Sequence, residues 1–118
     1  MLIVEDESGV REVLAELLVD EGYELQVARN GREALQVLQR WRPDVILLDL
    51  MMPIMDGWAF RAEQLRHVSL ASVPVIVLSA VREQHLQMER LGAAASLPKP
   101  FDLDAVATTV HRVLSEQP

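Results

Sequence analysis

The sequence predicts an α/β domain of three layers, written (βα)5: a five-stranded parallel sheet covered by helices on both faces. Three observations carry that prediction. Short apolar runs alternate with longer amphipathic segments along the chain. The apolar runs are continuous rather than interleaved with polar residues, as strands buried on both faces require. Finally, 118 residues suit one core, since single domains usually hold about 100 to 150 residues. The expected organisation is a single domain over residues 1–118, with no room for a separate output domain.

The first run is Leu2–Val4. Behind it Val10, Val13, Leu14, Leu17 and Leu18 recur at the spacing of one helical stripe, with Ser8 placed to cap the start and Gly22 the end. The second run, Glu24–Ala28, is followed by Asn30-Gly31, a turn into a helix carrying Ala34, Leu35 and Leu38. Pro43 separates that helix from the third run, Val45–Leu48. A loop from Met51 to Gly57 then opens a third helix, with Trp58, Ala62 and Leu65 as its expected inward side. Pro74 starts the fourth run, Val75–Leu78, and a fourth helix is expected from about Arg82 to Leu91, ending at Gly92. The fifth run, Ala94–Leu97, is weak. The fifth helix places Leu103, Val106, Val110, Val113 and Leu114 on one face behind an Asp102 cap.

Eleven Lys and Arg against eighteen Asp and Glu leave a net charge of −7, which opposes any contact that neutralises a nucleic-acid backbone. Direct binding of nucleic acid is therefore not expected. The chain has no cysteine, which removes disulfides, thiolate zinc sites and cysteine nucleophiles and is compatible with a reducing compartment. The opening MLIVEDES lacks the basic start and apolar stretch of a signal peptide. No apolar run approaches the roughly 20 residues that span a bilayer. Together these features predict a cytoplasmic protein without a membrane anchor.

Open parallel sheets bind ligands beyond the carboxyl ends of their strands, so the residues that follow each apolar run matter most. These are Glu5 and Asp6 after the first, Asp49 after the third, Ser79 after the fourth and Lys99 after the fifth. Taken singly, each has a plainer reading. Acids favour the start of the next helix, a serine caps a helix, and Lys99 before Pro100 suits a solvated turn. Asp49 at the end of a buried strand also suits a structural ion pair with Lys99. Against these readings, all five residues fall on one edge of the predicted sheet. Three carboxylates packed there repel one another unless a cation joins them. Oxygen ligands without His or Cys favour Mg²⁺, which keeps water and phosphate oxygens as its remaining ligands. An ionised aspartate in such a site can attack phosphorus and form an acyl phosphate. Mg²⁺, the Lys99 ammonium and the Ser79 hydroxyl would then meet the charge on the transferred oxygens.

Over nearly its whole length the chain resembles bacterial response-regulator receiver domains. The matching pieces are Ile3-Val4-Glu5-Asp6-Glu7, Asn30-Gly31-Arg32-Glu33-Ala34-Leu35, Pro43-Asp44 through Asp49-Leu50-Met51-Met52-Pro53, Met55-Asp56-Gly57, Pro74 through Ala80, and Lys99-Pro100-Phe101. The resemblance implies a flavodoxin-like sheet of order 2-1-3-4-5. It implies that Asp49 accepts the phosphoryl group, and that Asp6, Asp49, the Met51 backbone carbonyl and, through water, Glu5 hold Mg²⁺. Ser79 would bond the phosphoryl group and Lys99 would pair with it, across a cis Lys99–Pro100 bond. The implied function is a phosphoacceptor in a two-component phosphorelay, catalysing only its own phosphorylation and dephosphorylation and so not a turnover enzyme. The implied partners are a sensor histidine kinase or histidine phosphotransfer protein as donor, and a downstream protein target. Output is expected through the fourth helix, fifth strand and fifth helix, by target binding or phosphorylation-dependent homodimerisation.

Departures from the family pattern carry their own expectations. Ser96 stands three residues before Lys99, where relatives often have the aromatic residue of the switch. Met51 and Val81, two positions beyond Asp49 and Ser79, occupy places that flank the attacking water in relatives, and neither can orient it. Slow spontaneous loss of the phosphoryl group is expected. A haloacid-dehalogenase phosphatase needs a second acid where Met51 stands, and a flavin carrier would find Glu5-Asp6-Glu7 repelling its phosphate. The remaining alternative is a receiver-shaped interaction scaffold that works without phosphorylation.

Overall fold

The continuous apolar runs become the interior strands of one parallel sheet. A computed structural model describes residues 1–79 and 89–117. Its strands are β1 Leu2–Val4, β2 Gln26–Ala28, β3 Ile46–Asp49, β4 Val75–Ser79 and β5 Ala95–Pro98, arranged β2-β1-β3-β4-β5. This is the expected order. Strands β3 and β4 begin or end within a residue of the sequence expectation, whereas β2 starts two residues later, at Gln26.

Side chains alternate across the sheet with the period of two that pleating imposes. Leu2, Val4, Ile46, Leu48, Val75 and Val77 face one core with Ala34, Leu38 and Phe60. Ile3, Leu47, Ile76 and Leu78 face the other, with Leu14, Leu18, Val106, Val110 and Val113. Complete burial of each Leu or Ile contributes about 1.5 to 3 kcal/mol, so the two central strands anchor both layers.

The helices are α1 Ser8–Asp20, α2 Gly31–Leu38, α3 Gly57–Arg66, a short α4 Val68–Ala71 and α5 Leu103–Ser115. Ser8 does not cap α1, because it lies inside the helix and the cap position falls to Glu7, whose side chain makes no cap bond. Gly22 does end α1: at φ 94° it lets its own N–H reach the Val19 carbonyl while Tyr23 N–H reaches Leu18. Asn30 Oδ1 accepts from Glu33 N–H at the start of α2, and Asp102 caps α5 through Asp104 N–H.

The inward face of α3 differs from expectation. Gly57, Phe60, Arg61 and Gln64 are buried, while Ala62 and Leu65 are exposed and Trp58 is half-buried. Polar Arg61 and Gln64 go inside because backbone carbonyls of other segments await their N–H groups. On α1 and α5, Val13 and Leu103 are also exposed rather than packed. The expected fourth helix falls largely on residues outside those described; residues 89–91 are helical and Gly92 follows at φ 63°.

Candidate functional site

At the carboxyl edge of the sheet, β1 delivers Glu5 and Asp6, while β3 and β4 end on Asp49 and Ser79 and β5 leads into Lys99. Parallel register sets these residues side by side. Asp49 pairs with Leu78, the residue before Ser79, and Ser79 pairs with Pro98, the residue before Lys99. Lys99 N–H donates to the Ser79 carbonyl at 2.9 Å, and the Lys99–Pro100 peptide is cis.

The acids converge. One carboxylate oxygen each from Glu5, Asp6 and Asp49 lies within 4.8 Å of the others. Lys99 Nζ sits 3.0 and 2.9 Å from the two oxygens of Glu5 and 3.4 Å from Asp49 Oδ1. Glu5 is fully buried, and Asp49 and Ser79 are nearly so. Met51 N–H donates to Asp49 Oδ1 at 3.3 Å, and the Met51 side chain is exposed.

Electrostatics follow from this crowding. Burial first, and the Glu5 charge second, push the Asp49 carboxyl up to about 7, with a bond to Asp6 adding to the rise and Lys99 opposing it. Burial alone would lower the Lys99 pKa, but its bond to Glu5 and the charges of Glu5 and Asp49 raise it above the ordinary lysine value. One ammonium among three carboxyl groups leaves the edge short of positive charge. Glu5 Oε2 accepts no hydrogen bond of good geometry among the described residues, although the Lys99 ammonium lies 2.9 Å from it. An all-oxygen donor set of three converging carboxylates fits a hard divalent cation.

The surrounding loops are held by close backbone approaches. A Cβ on Gly57 would lie 2.5 Å from the Asp49 carbonyl oxygen and 2.8 Å from Leu50 Cα, so only glycine lets α3 start against the end of β3. Gly31 N–H donates to the Met55 carbonyl at 2.9 Å, which ties this loop to α2. Between them Ile54 takes φ 69°, a strained setting for a β-branched residue. Arg11, which sequence reasoning passed over, reaches from α1 to the Glu5 and Asp6 carbonyls at 2.9 and 3.3 Å. Beside Lys99 opens a groove of about 640 Å³ lined by Val10, Val13, Pro100, Phe101 and Leu103, together with Glu7 and Gly9.

Residues 1–111 match the family described as the response regulator receiver domain. The chain belongs to that family. As a receiver domain it is homologous to the phosphoacceptor domains of response regulators and sensor kinases. It is 40% identical over 99% of its length to the regulatory protein AtoC of Escherichia coli, of which it spans a quarter (25%). It is 36% identical over 97% of its length to sporulation initiation phosphotransferase F of Bacillus subtilis, of which it covers 92%. Among solved structures, the receiver domain of the Pseudomonas aeruginosa sensor histidine kinase PA1611 superposes with a TM-score of 0.88 at 26% identity, covering 98% of this chain and 96% of that one. That structure holds a magnesium ion coordinated in its active-site cleft. The receiver fold expected from sequence is the one observed. Among the described residues, no helix is long and apolar enough to cross a membrane.

Proposed function

We propose that Asp49 is the phosphoacceptor of this receiver domain, taking a phosphoryl group from a phosphohistidine on a sensor kinase or phosphotransfer protein. The observation that carries this reading is the convergence of the three carboxylates with Lys99 Nζ only 3.4 Å from Asp49 Oδ1. Glu5, Asp6, Asp49 and the Met51 carbonyl would hold Mg²⁺, which when bound offsets the carboxylate repulsion and the charge of the incoming phosphoryl group. Asp49, once ionised, attacks phosphorus as the bond to the donor nitrogen breaks. Lys99 then has an anionic phosphoryl oxygen to pair with in place of the Asp49 carboxylate, and the Ser79 hydroxyl supplies a hydrogen bond from the next strand. The domain acts on itself and does not turn over a substrate. A downstream protein would read the change on β5, α5 and the helix that ends at Leu91, by binding that face or through a second copy of the chain.

The test is to incubate the protein with Mg²⁺ and a small acyl phosphate and to weigh it intact. Wild type should gain the mass of one phosphoryl group, and Asp49→Asn should gain none. Equal labelling of both proteins, or labelling of neither, would refute the assignment and favour a phosphorylation-independent scaffold.

The phosphorylated form should be long-lived. The thioether of Met51 donates no hydrogen bond and accepts only weakly, so it cannot orient an attacking water. Val81, the other expected flanking residue, lies outside the described residues. Met51→Asn should speed loss of the phosphoryl group about ten-fold, below the roughly 100- to 10,000-fold that a positioned acid or base supplies, because an amide orients water without taking its proton. Following the decay of phosphorylated protein by mass after donor removal measures this, and equal lifetimes would count against it.

A further inference from the structure

Arg61 is a buried charge that the phosphorylation chemistry leaves unused. It is 6% exposed, and among the described residues no carboxylate pairs with it within salt-bridge distance. Its donors instead grip the backbone: Nε reaches the Leu91 carbonyl at 2.9 Å and Nη2 the Gly92 carbonyl at 3.1 Å. Nη1 donates to Gln64 Oε1 at 2.8 Å, and Gln64 Nε2 donates to the Leu70 and Val73 carbonyls at 2.9 and 3.1 Å. Two side chains of α3 thus tie together the segment before β4 and the segment before β5. Apolar residues would fill this space at lower desolvation cost. What directional bonds add is a fixed position, because each guanidinium N–H is aimed along its own line.

The other end of α3 is seated just as firmly. Gly57 abuts the Asp49 carbonyl and the Leu50 backbone, and its N–H donates to the Leu50 carbonyl at 3.0 Å. Arg61 follows one turn later on the same helix. The chain it holds proceeds from Gly92 to Ala94, whose N–H donates to the Val75 carbonyl, and then into β5. A stiff element therefore joins the end of β3 at Asp49 to the segment before β5, in a domain whose β5 carries Ser96.

We propose that Arg61 is a positioning residue that relays the state of the Asp49 loop through α3 to the chain at Leu91–Ala95. The relay rests on the reading of Asp49 as phosphoacceptor. A shift of the Asp49–Leu50 backbone carries the start of α3 with it, because no side chain on Gly57 cushions the contact. Arg61 then transmits the shift to the Leu91 and Gly92 carbonyls in the segment before β5, altering the face on which a partner would read the change.

Hydrogen–deuterium exchange, with and without Mg²⁺ and beryllofluoride, tests the relay when read separately for residues 49–57 and 89–96. In wild type the phosphoryl mimic should change exchange in both segments. Arg61→Met should keep the change at 49–57 and shrink that at 89–96 by about three-fold or more. Arg61→Lys, which retains the charge and a donor and guards against misfolding of the first variant, should shrink it by a smaller factor. A purely structural arginine would raise exchange at 89–96 equally with and without the mimic, leaving the difference intact. An undiminished difference in both variants, or a wild type that responds at 49–57 alone, overturns the relay while the phosphoacceptor reading stands. No response at 49–57 in wild type overturns both.

Discussion

In the absence of divalent cations the protein should lose stability as the pH rises from about 4 to about 7, and Asp49→Asn should abolish that loss. The sign follows from linkage. The Asp49 carboxyl is pushed up to about 7 in the folded chain but titrates near 3.9 when unfolded. Between those values the folded state holds the extra proton, so unfolding becomes easier with each step up in pH and levels off above about 7. The full separation is an upper bound, because Glu5 and Lys99 share the same charges. A loss on the order of 2 kcal/mol is expected. Urea midpoints of wild type and Asp49→Asn from pH 4 to pH 8 measure it, since the difference between the two cancels the titrating groups that do not interact with Asp49. Adding Mg²⁺ at pH 7.5 should restore wild type by mass action and help Asp49→Asn less. Parallel pH profiles for the two proteins would mean that Asp49 is solvated like an ordinary surface acid. Lys99 does not disturb the comparison. Its raised pKa makes its contribution present below the ordinary lysine value and lost only as the pH climbs through the higher folded one.

The same crowding explains how much could be read from sequence. Strands β3 and β4 were legible because a strand buried on both faces must be apolar throughout, and Ile46-Leu47-Leu48 and Val75 through Leu78 leave no other reading. The acids were legible as a group because each follows such a run. The inward face of α3 was not. A hydrophobic stripe assigns Leu65 inward and Arg61 outward, whereas the fold buries Arg61 and Gln64 against carbonyls that come together only once β4 and β5 are paired. That information is tertiary and has no local sign. Arg11 escaped notice for the same reason, since its partners are backbone atoms of the acid loop. The cap of α1 was misplaced by one residue because Ser8 is a good capping residue while Glu7 holds the position with its backbone alone. The short helix α4, Val68–Ala71, is too brief to show a helical period.

Gly57→Ala should be among the most damaging single-methyl changes in the domain. The added carbon would lie 2.5 Å from the Asp49 carbonyl oxygen, 2.8 Å from Leu50 Cα and 2.9 Å from Leu50 Cδ2. Two of the three obstacles are backbone atoms at the end of a buried central strand, so neither can turn aside as a side chain would. The start of α3 must lift instead, straining the Gly57 N–H bond to the Leu50 carbonyl and loosening the packing of Phe60, which is fully buried. Overpacking of this kind costs about 3 kcal/mol, enough to halve the stability of a small domain of ordinary resilience. Gly9→Ala is the matched control. It adds the same methyl group on α1, meets nothing within 4 Å, and should stabilise by up to about 1 kcal/mol through helix propensity alone. Urea unfolding of the two variants separates the close approach at Gly57 from any general aversion to alanine, and equal midpoints would show that α3 is not seated against the end of β3. Because the displaced atoms belong to Asp49 and Leu50, the folded fraction of Gly57→Ala should also take up acyl phosphate more slowly than wild type, while Gly9→Ala should match it.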